Sequence, residues 1–172
     1  MERGIVLNAY MTNGTIDFLL KIEKKHEELE LKLMGNNAGG LLYYEHPREE
    51  IFQAGRKYEI LEKAGEIRDT GYVVMNNVPV DEENNALFED RFKRRKQAVE
   101  AMPGFQAFRV LRPYQGSTYV ILTQWASKKD FEDWKSSDTF QEAHQFDTGK
   151  SASYFFKNAY IATYDMYAEE EE

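Results

Sequence analysis

The stretch Tyr72-Val73-Val74-Met75-Asn76-Asn77-Val78-Pro79-Val80 decides the fold of this chain. Its alternation predicts a strand from Tyr72 to Val80, with Val74, Asn76 and Val78 on one face and Val73, Met75 and Asn77 on the other. An asparagine thus points each way from an otherwise apolar strand. Downstream, Asp81 to Asn85 is a polar loop and acidic helix start, and Leu87 to Met102 places Phe88, Phe92, Val99 and Met102 along one helical stripe, which Pro103-Gly104 ends. Phe105 to Leu111 and Thr118 to Trp125 read as hairpin strands, with Pro113 and Gly116 in the turn. Ser127-Lys128-Lys129-Asp130 has the spacing of a capping box and opens a helix carrying Phe131 and Trp134. Ser136-Ser137-Asp138 interrupts that helix. A second short helix with Phe140, Ala143 and His144 on one face is expected next, then the glycine-containing stretch Asp147 to Ser153 and a final strand from Asn158 to Tyr167.

Strand, helix, strand, strand, helix, strand is the α+β, ferredoxin-like βαββαβ plan, whose antiparallel sheet carries helices on one face only. The chain before it begins in a similar way. Ile5 to Met11 reads as a strand stopped by Thr12-Asn13-Gly14, Thr15 to Lys24 as a helix with Phe18, Leu19 and Ile22 on one side, and Leu29 to Met34 and Leu41 to Glu45 as a hairpin. Ile51 to Ala54 and Tyr58 to Leu61 read as short strand-like pieces, and Gly65 to Gly71 as a turn-rich linker. The expected organisation is an N-terminal α+β half over 1–70, a second, smaller ferredoxin-like unit, followed by a domain over 71–168 and a solvated acidic tail over 169–172.

Composition narrows the chemistry. The 172 residues are 42% hydrophobic, 30% charged and 14% aromatic, which describes a globular chain of one large or two small domains. With no cysteine, a disulfide framework, thiolate metal ligation, an iron–sulfur cluster and a cysteine nucleophile are all excluded. A net charge of −8 argues against broad binding to nucleic acid or anionic membranes. No apolar run approaches the roughly 20 residues of a membrane span, and the segment Met1 to Leu7 has no signal-peptide core, so a cytoplasmic protein is expected.

Of the three histidines, His26 and His46 sit among charges, whereas His144 shares a helical face with Phe140 and Ala143. No paired histidine spacing supports a zinc site, but one imidazole suffices as the axial ligand of a heme. Trp134, ten residues before His144, is either a core residue or the wall of a flat aromatic ligand. Asn76 is costly in a buried strand without a partner, so it marks either a site or an exposed edge strand. Arg91-Phe92-Lys93-Arg94-Arg95-Lys96 packs five cations into six residues, either a solvated helix face or a clamp for carboxylates.

Residues 72–167 resemble the antibiotic biosynthesis monooxygenase (ABM) domain and, within it, the IsdG-type heme-degrading monooxygenases. The resemblance rests on Asn76 to Val80, Phe88 to Phe92, Met102-Pro103-Gly104-Phe105, Leu111-Arg112-Pro113, Tyr119 to Trp125, and Phe131 to Trp134 through Ser137-Asp138, Phe140 and Glu142-Ala143-His144. The tryptophan and histidine ten residues apart, together with the strand asparagine, are its specific part. Over its whole length the chain is similar to the longer, Bacillus-type heme monooxygenases, and TRAP-like staphylococcal signalling proteins are a further relative.

The resemblance implies His144 as axial ligand of the heme iron, Asn76 as the group that hydrogen-bonds oxygen bound there, and Trp134 as the wall that distorts the porphyrin. Heme would be both cofactor and substrate, with O2 and an external electron donor, such as a reductase, also required. Arg91, Arg94 and Arg95 as propionate partners follow from the charge cluster, not from the family pattern. Single-domain members are usually homodimers; here the first half could supply the second unit within one chain, so a monomer with one complete heme site is expected. The expected function is a heme-degrading monooxygenase that opens the porphyrin ring and releases iron. Two alternatives stand beside it, a non-catalytic heme-binding or TRAP-like signalling protein and a cofactor-independent oxygenase of polycyclic phenols; the joint presence of Asn76, Trp134 and His144 disfavours the latter.

Overall fold

The computed structural model describes residues 6–94, 96–137 and 158–168. The expected helix carrying His144, the stretch Asp147 to Ser153 and the acidic tail lie outside the described residues. Among the described residues, eight strands and four helices follow in chain order: β1 Asn8–Gly14, α1 Ile16–Lys25, β2 Lys32–Asn36, β3 Gly39–His46, β4 Arg56–Ala64, β5 Tyr72–Pro79, α2 Asn85–Lys93, α3 Lys96–Glu100, β6 Phe105–Pro113, β7 Thr118–Trp125, α4 Lys128–Lys135 and β8 Tyr160–Met166. All strands join one closed, antiparallel barrel in the order β1-β3-β2-β8-β5-β7-β6-β4.

The second half forms the run β8-β5-β7-β6, the order expected of a ferredoxin-like sheet. The first half runs β4-β1-β3-β2, the same succession of first, second, third and fourth strands. Two seams close the barrel, β2 on β8 (Met34↔Met166) and β4 on β6 (Ile60↔Leu111). Closure leaves no open sheet edge among the described strands. Among the described residues no helix is long and apolar enough to cross a membrane.

Strand alternation sorts the apolar residues into three clusters. Ala9, Met11, Leu41, Val73, Met75, Leu111, Val120 and Leu122 fill the barrel. Tyr10, Leu19, Leu33, Leu42 and Tyr44 form the outer core of the first half beneath α1. Val74, Val78, Phe88, Phe92, Val99, Val110, Ile121 and Trp125 form that of the second half. The barrel also encloses Arg109, 0% exposed, which donates from Nε to Glu45 Oε2 at 2.7 Å and from Nη1 to the carbonyl oxygens of Ala64 and Phe108. The Tyr43 hydroxyl donates to the same Glu45 oxygen at 2.6 Å. Burial, with the Glu45 carboxylate beside it, pushes the Tyr43 hydroxyl well above the ordinary tyrosine range. This network ties a strand of the first half to a strand of the second.

Several local expectations give way to tertiary contacts. β1 continues through Thr12-Asn13-Gly14, because these residues pair with β3 up to Gly14↔Gly40 and Thr15 then caps α1, accepting from Phe18 N at 3.2 Å. β2 starts only at Lys32; Glu27–Leu29 is a 3-10 turn, after which Glu30 turns the chain with φ 54°. Residues 51–54 form no strand, since Ile51 N donates to the Tyr44 hydroxyl and the Phe52 ring packs edge-on against Tyr44. The helix expected over 87–102 divides into α2 and α3. Between Phe92 and Val99 every position of the buried stripe is charged or polar, so no apolar anchor holds a continuous helix to the sheet. The stretch Gly65 to Gly71 is irregular yet docked: Gln124, 0% exposed, accepts from Arg68 N and donates to the carbonyls of Arg68 and Thr70.

Candidate functional site

β5 pairs with β7 on one side and β8 on the other, so Asn76 lies mid-sheet between Ile121 and Ile161 rather than on an edge. It faces outward with Val74 and Val78, away from the barrel interior. Asn76 Oδ1 is buried and has no hydrogen-bond partner among the described residues. An orphaned buried acceptor costs about 1–3 kcal/mol, so its retention in an apolar strand points to a ligand.

The aromatic wall stands on the same face. Ser127 Oγ accepts from Asp130 N at 3.2 Å, the N-cap half of the expected capping box, and donates to Asp130 Oδ2 at 3.0 Å in place of the backbone return bond, starting α4 against β7. The helix then aims Phe131 and Trp134 at the sheet. The Trp134 ring lies 5.3 Å from that of Trp125, tilted by 30°, and 6.2 Å from that of Phe131. Trp125 is fully buried and fixed by its Nε1 donating to Thr123 Oγ1 at 2.9 Å. The Asn76 partner Ile121 is four residues along β7 from Trp125, about 13 Å of strand. A ligand meeting both groups has to be broad and flat on its aromatic side.

The remaining candidates are dispersed. Arg94 is 78% exposed and pairs with Asp90 at 2.9 Å along the solvent side of α2. Arg91 is half-buried on the same helix, while the side chain of Arg95 and the whole of His144 lie outside the described residues. His46 is half-buried, not exposed, and its Nδ1 accepts from Arg48 N and Glu49 N, a turn contact remote from this face. Among the described residues no group of three or more acidic or histidine side chains could hold a metal ion.

Trp125, Phe131 and Thr123 fall in or beside the matching stretches but receive no role from the sequence, although the parity of β7 and the helical spacing of 131 and 134 place them together. A second polar cluster is equally silent in the sequence. Arg112 bridges Glu59 at 2.8 Å and Glu89 at 3.2 Å, and the Tyr119 hydroxyl donates to Glu89, fastening α2 to the sheet beside the site. Burial, reinforced by Glu89, raises the pKa of Tyr119 and keeps it protonated as that donor.

Residues 71–145 match the family model described as antibiotic biosynthesis monooxygenase. Asn76 and Trp134 lie in the described part of that range. At the level of individual proteins, the chain is 27% identical to the signal transduction protein TRAP of Staphylococcus epidermidis over 159 residues, covering 88% of this chain and 95% of that one. It is also 27% identical to a heme-degrading monooxygenase of Listeria monocytogenes over 134 residues, covering 78% and 80%. A solved ferredoxin-fold protein related to antibiotic biosynthesis monooxygenases, from Listeria monocytogenes, superimposes with a TM-score of 0.80 at 22% identity, over 97% of both chains.

Proposed function

We propose that the chain is a heme-degrading monooxygenase, which opens the porphyrin ring with O2 and an external electron donor and releases iron. The observation that carries this reading is the buried, unpartnered Oδ1 of Asn76 on the face that also bears Trp134. When bound, heme supplies both the metal that activates dioxygen and the ring that is consumed. The side chains present suit it. Asn76 offers a donor and an acceptor from a central strand, the acceptor oxygen already buried. Trp134, held by Trp125 and Phe131, offers a stiff aromatic surface for one side of a macrocycle. His144 is assigned as the axial iron ligand, since a neutral imidazole suits that role. Arg91, Arg94 and Arg95 are assigned to the propionates, with Arg94 required to leave Asp90 first.

The first half is assigned as a second ferredoxin-like unit without a heme site. Because the chain closes its own barrel, the protein is expected to act as a monomer. The TRAP relative favours a second reading, heme binding or signalling without turnover. A hemin titration followed by ascorbate and catalase in air separates the two, run on wild type and on His144→Ala. A saturable Soret band that decays with reductant in wild type and is lost in the variant supports the enzyme. A stable band supports the second reading, and no band contradicts both heme readings.

A further inference from the structure

A cavity of about 630 Å³ opens at the barrel end bounded by β1, β4, β5, β8 and the β6–β7 turn. It lies on the inner face of the sheet, opposite to Asn76 and Trp134. Its floor is apolar and adaptable, formed by Met11, Met75, Tyr58 and Tyr164 from the barrel lining. The volume falls within the roughly 300–1,000 Å³ typical of small-molecule sites.

The charge at its rim is what selects the ligand. The pairs Met11↔Arg56 and Ala9↔Tyr58 put Arg56 on the same barrel-lining face as Tyr58. Lys57, its neighbour in the strand, borders the cavity but faces outward, its ammonium 5.9 Å from the centroid of the Tyr10 ring and 4.5 Å from that of Tyr114. Glu50 is the only carboxylate along the cavity wall, and neither cation forms an ion pair with it or with any other carboxylate among the described residues. Most other cations of β3, β4 and β6 are paired, Lys63 and Arg109 to Glu45 and Arg112 to Glu59. In a chain of net charge −8, Arg56, which forms no ion pair among the described residues, makes the mouth of this apolar pocket a local anion site.

We propose that this cavity is a second ligand site, which takes an amphipathic carboxylate of about the size of octanoate. The carboxylate meets the Arg56 guanidinium, whose planar fork suits two-point binding, and the chain lies against Met11 and Met75. Binding here is independent of heme, and its test uses no heme, so its outcome does not depend on the function proposed above.

The test is a titration of the full chain, carrying isotope-labelled methionine methyl groups, with octanoate, octanol and octylamine, read by NMR. The expected result is saturable movement of the Met11 and Met75 signals with octanoate, at least tenfold weaker binding of octanol, and no binding of octylamine. Arg56→Gln, verified as folded by circular dichroism, should weaken octanoate about ten- to hundredfold and leave octanol unchanged. Equal affinity for octanol and octanoate in wild type would overturn the proposal whether or not the variant folds. So would movement confined to Met102 on the outer face, or an undiminished octanoate affinity in the variant.

Discussion

The two outer faces of the barrel stand on the same succession of strands but treat their polar groups in opposite ways. On the first half, each polar side chain that faces outward from β1 is answered: Asn8 donates to Pro47 O and accepts from the Tyr114 hydroxyl, and Thr12 donates to Ala54 O. The Tyr44 hydroxyl both donates to Glu49 O and accepts from Ile51 N. That face is a finished core. On the second half, β5 carries the half-buried Asn76 with its buried acceptor oxygen left over, flanked by a tryptophan pair and by the 52% exposed Ile161. Where polar satisfaction fails on only one of two similarly ordered sheets, function is the better explanation than fold.

The largest effect is expected where the halves are tied together. Arg109→Met leaves Glu45 in the barrel without its principal partner and should cost about 3–5 kcal/mol in urea unfolding. Arg94→Ala removes an exposed helical pair and should cost no more than about 0.5 kcal/mol. Similar losses would mean that the barrel network does not join the halves.

Next come the two helix caps, which allow the faces to be compared directly. Thr15→Ala and Ser127→Ala should each cost about 1 kcal/mol. Only Ser127→Ala should also weaken hemin binding, because α4 carries Trp134 whereas α1 covers the finished face. Equal effects on hemin would contradict the assignment of the two faces.

A further effect concerns pH. Burial raises the Tyr44 hydroxyl from its ordinary value of 10 to about 12. The folded state therefore holds this proton more tightly than the unfolded state, so its contribution is complete below pH 10 and is lost as pH rises from 10 to 12. Wild type should lose stability across that interval more steeply than Tyr44→Phe, as followed by thermal melts. Parallel slopes would mean that Tyr44 ionises as freely as in the unfolded chain.

The elements that position the site were the most legible in the sequence. The alternation in Tyr72 to Val80 and Thr118 to Trp125 sets the faces of β5 and β7, and the Ser127 box starts α4, all from local chemistry. Barrel closure was not legible, because β4 pairs with both β1 and β6 and nothing in Arg56 to Ala64 specifies two partners. The Glu45–Arg109 pair was hidden for the same reason, its members being 64 positions apart. Asn76 and Trp134 could be singled out, but their sharing one face and the Trp125 support behind Trp134 emerge only when α4 packs on β7.

The most direct measurement is the stability and hemin turnover of Asn76→Leu taken together. If the amide is held in the sheet for a ligand, the variant should gain about 1–3 kcal/mol in urea unfolding and lose ascorbate-driven hemin decay. A variant that is less stable than wild type and still degrades hemin would contradict the central claim.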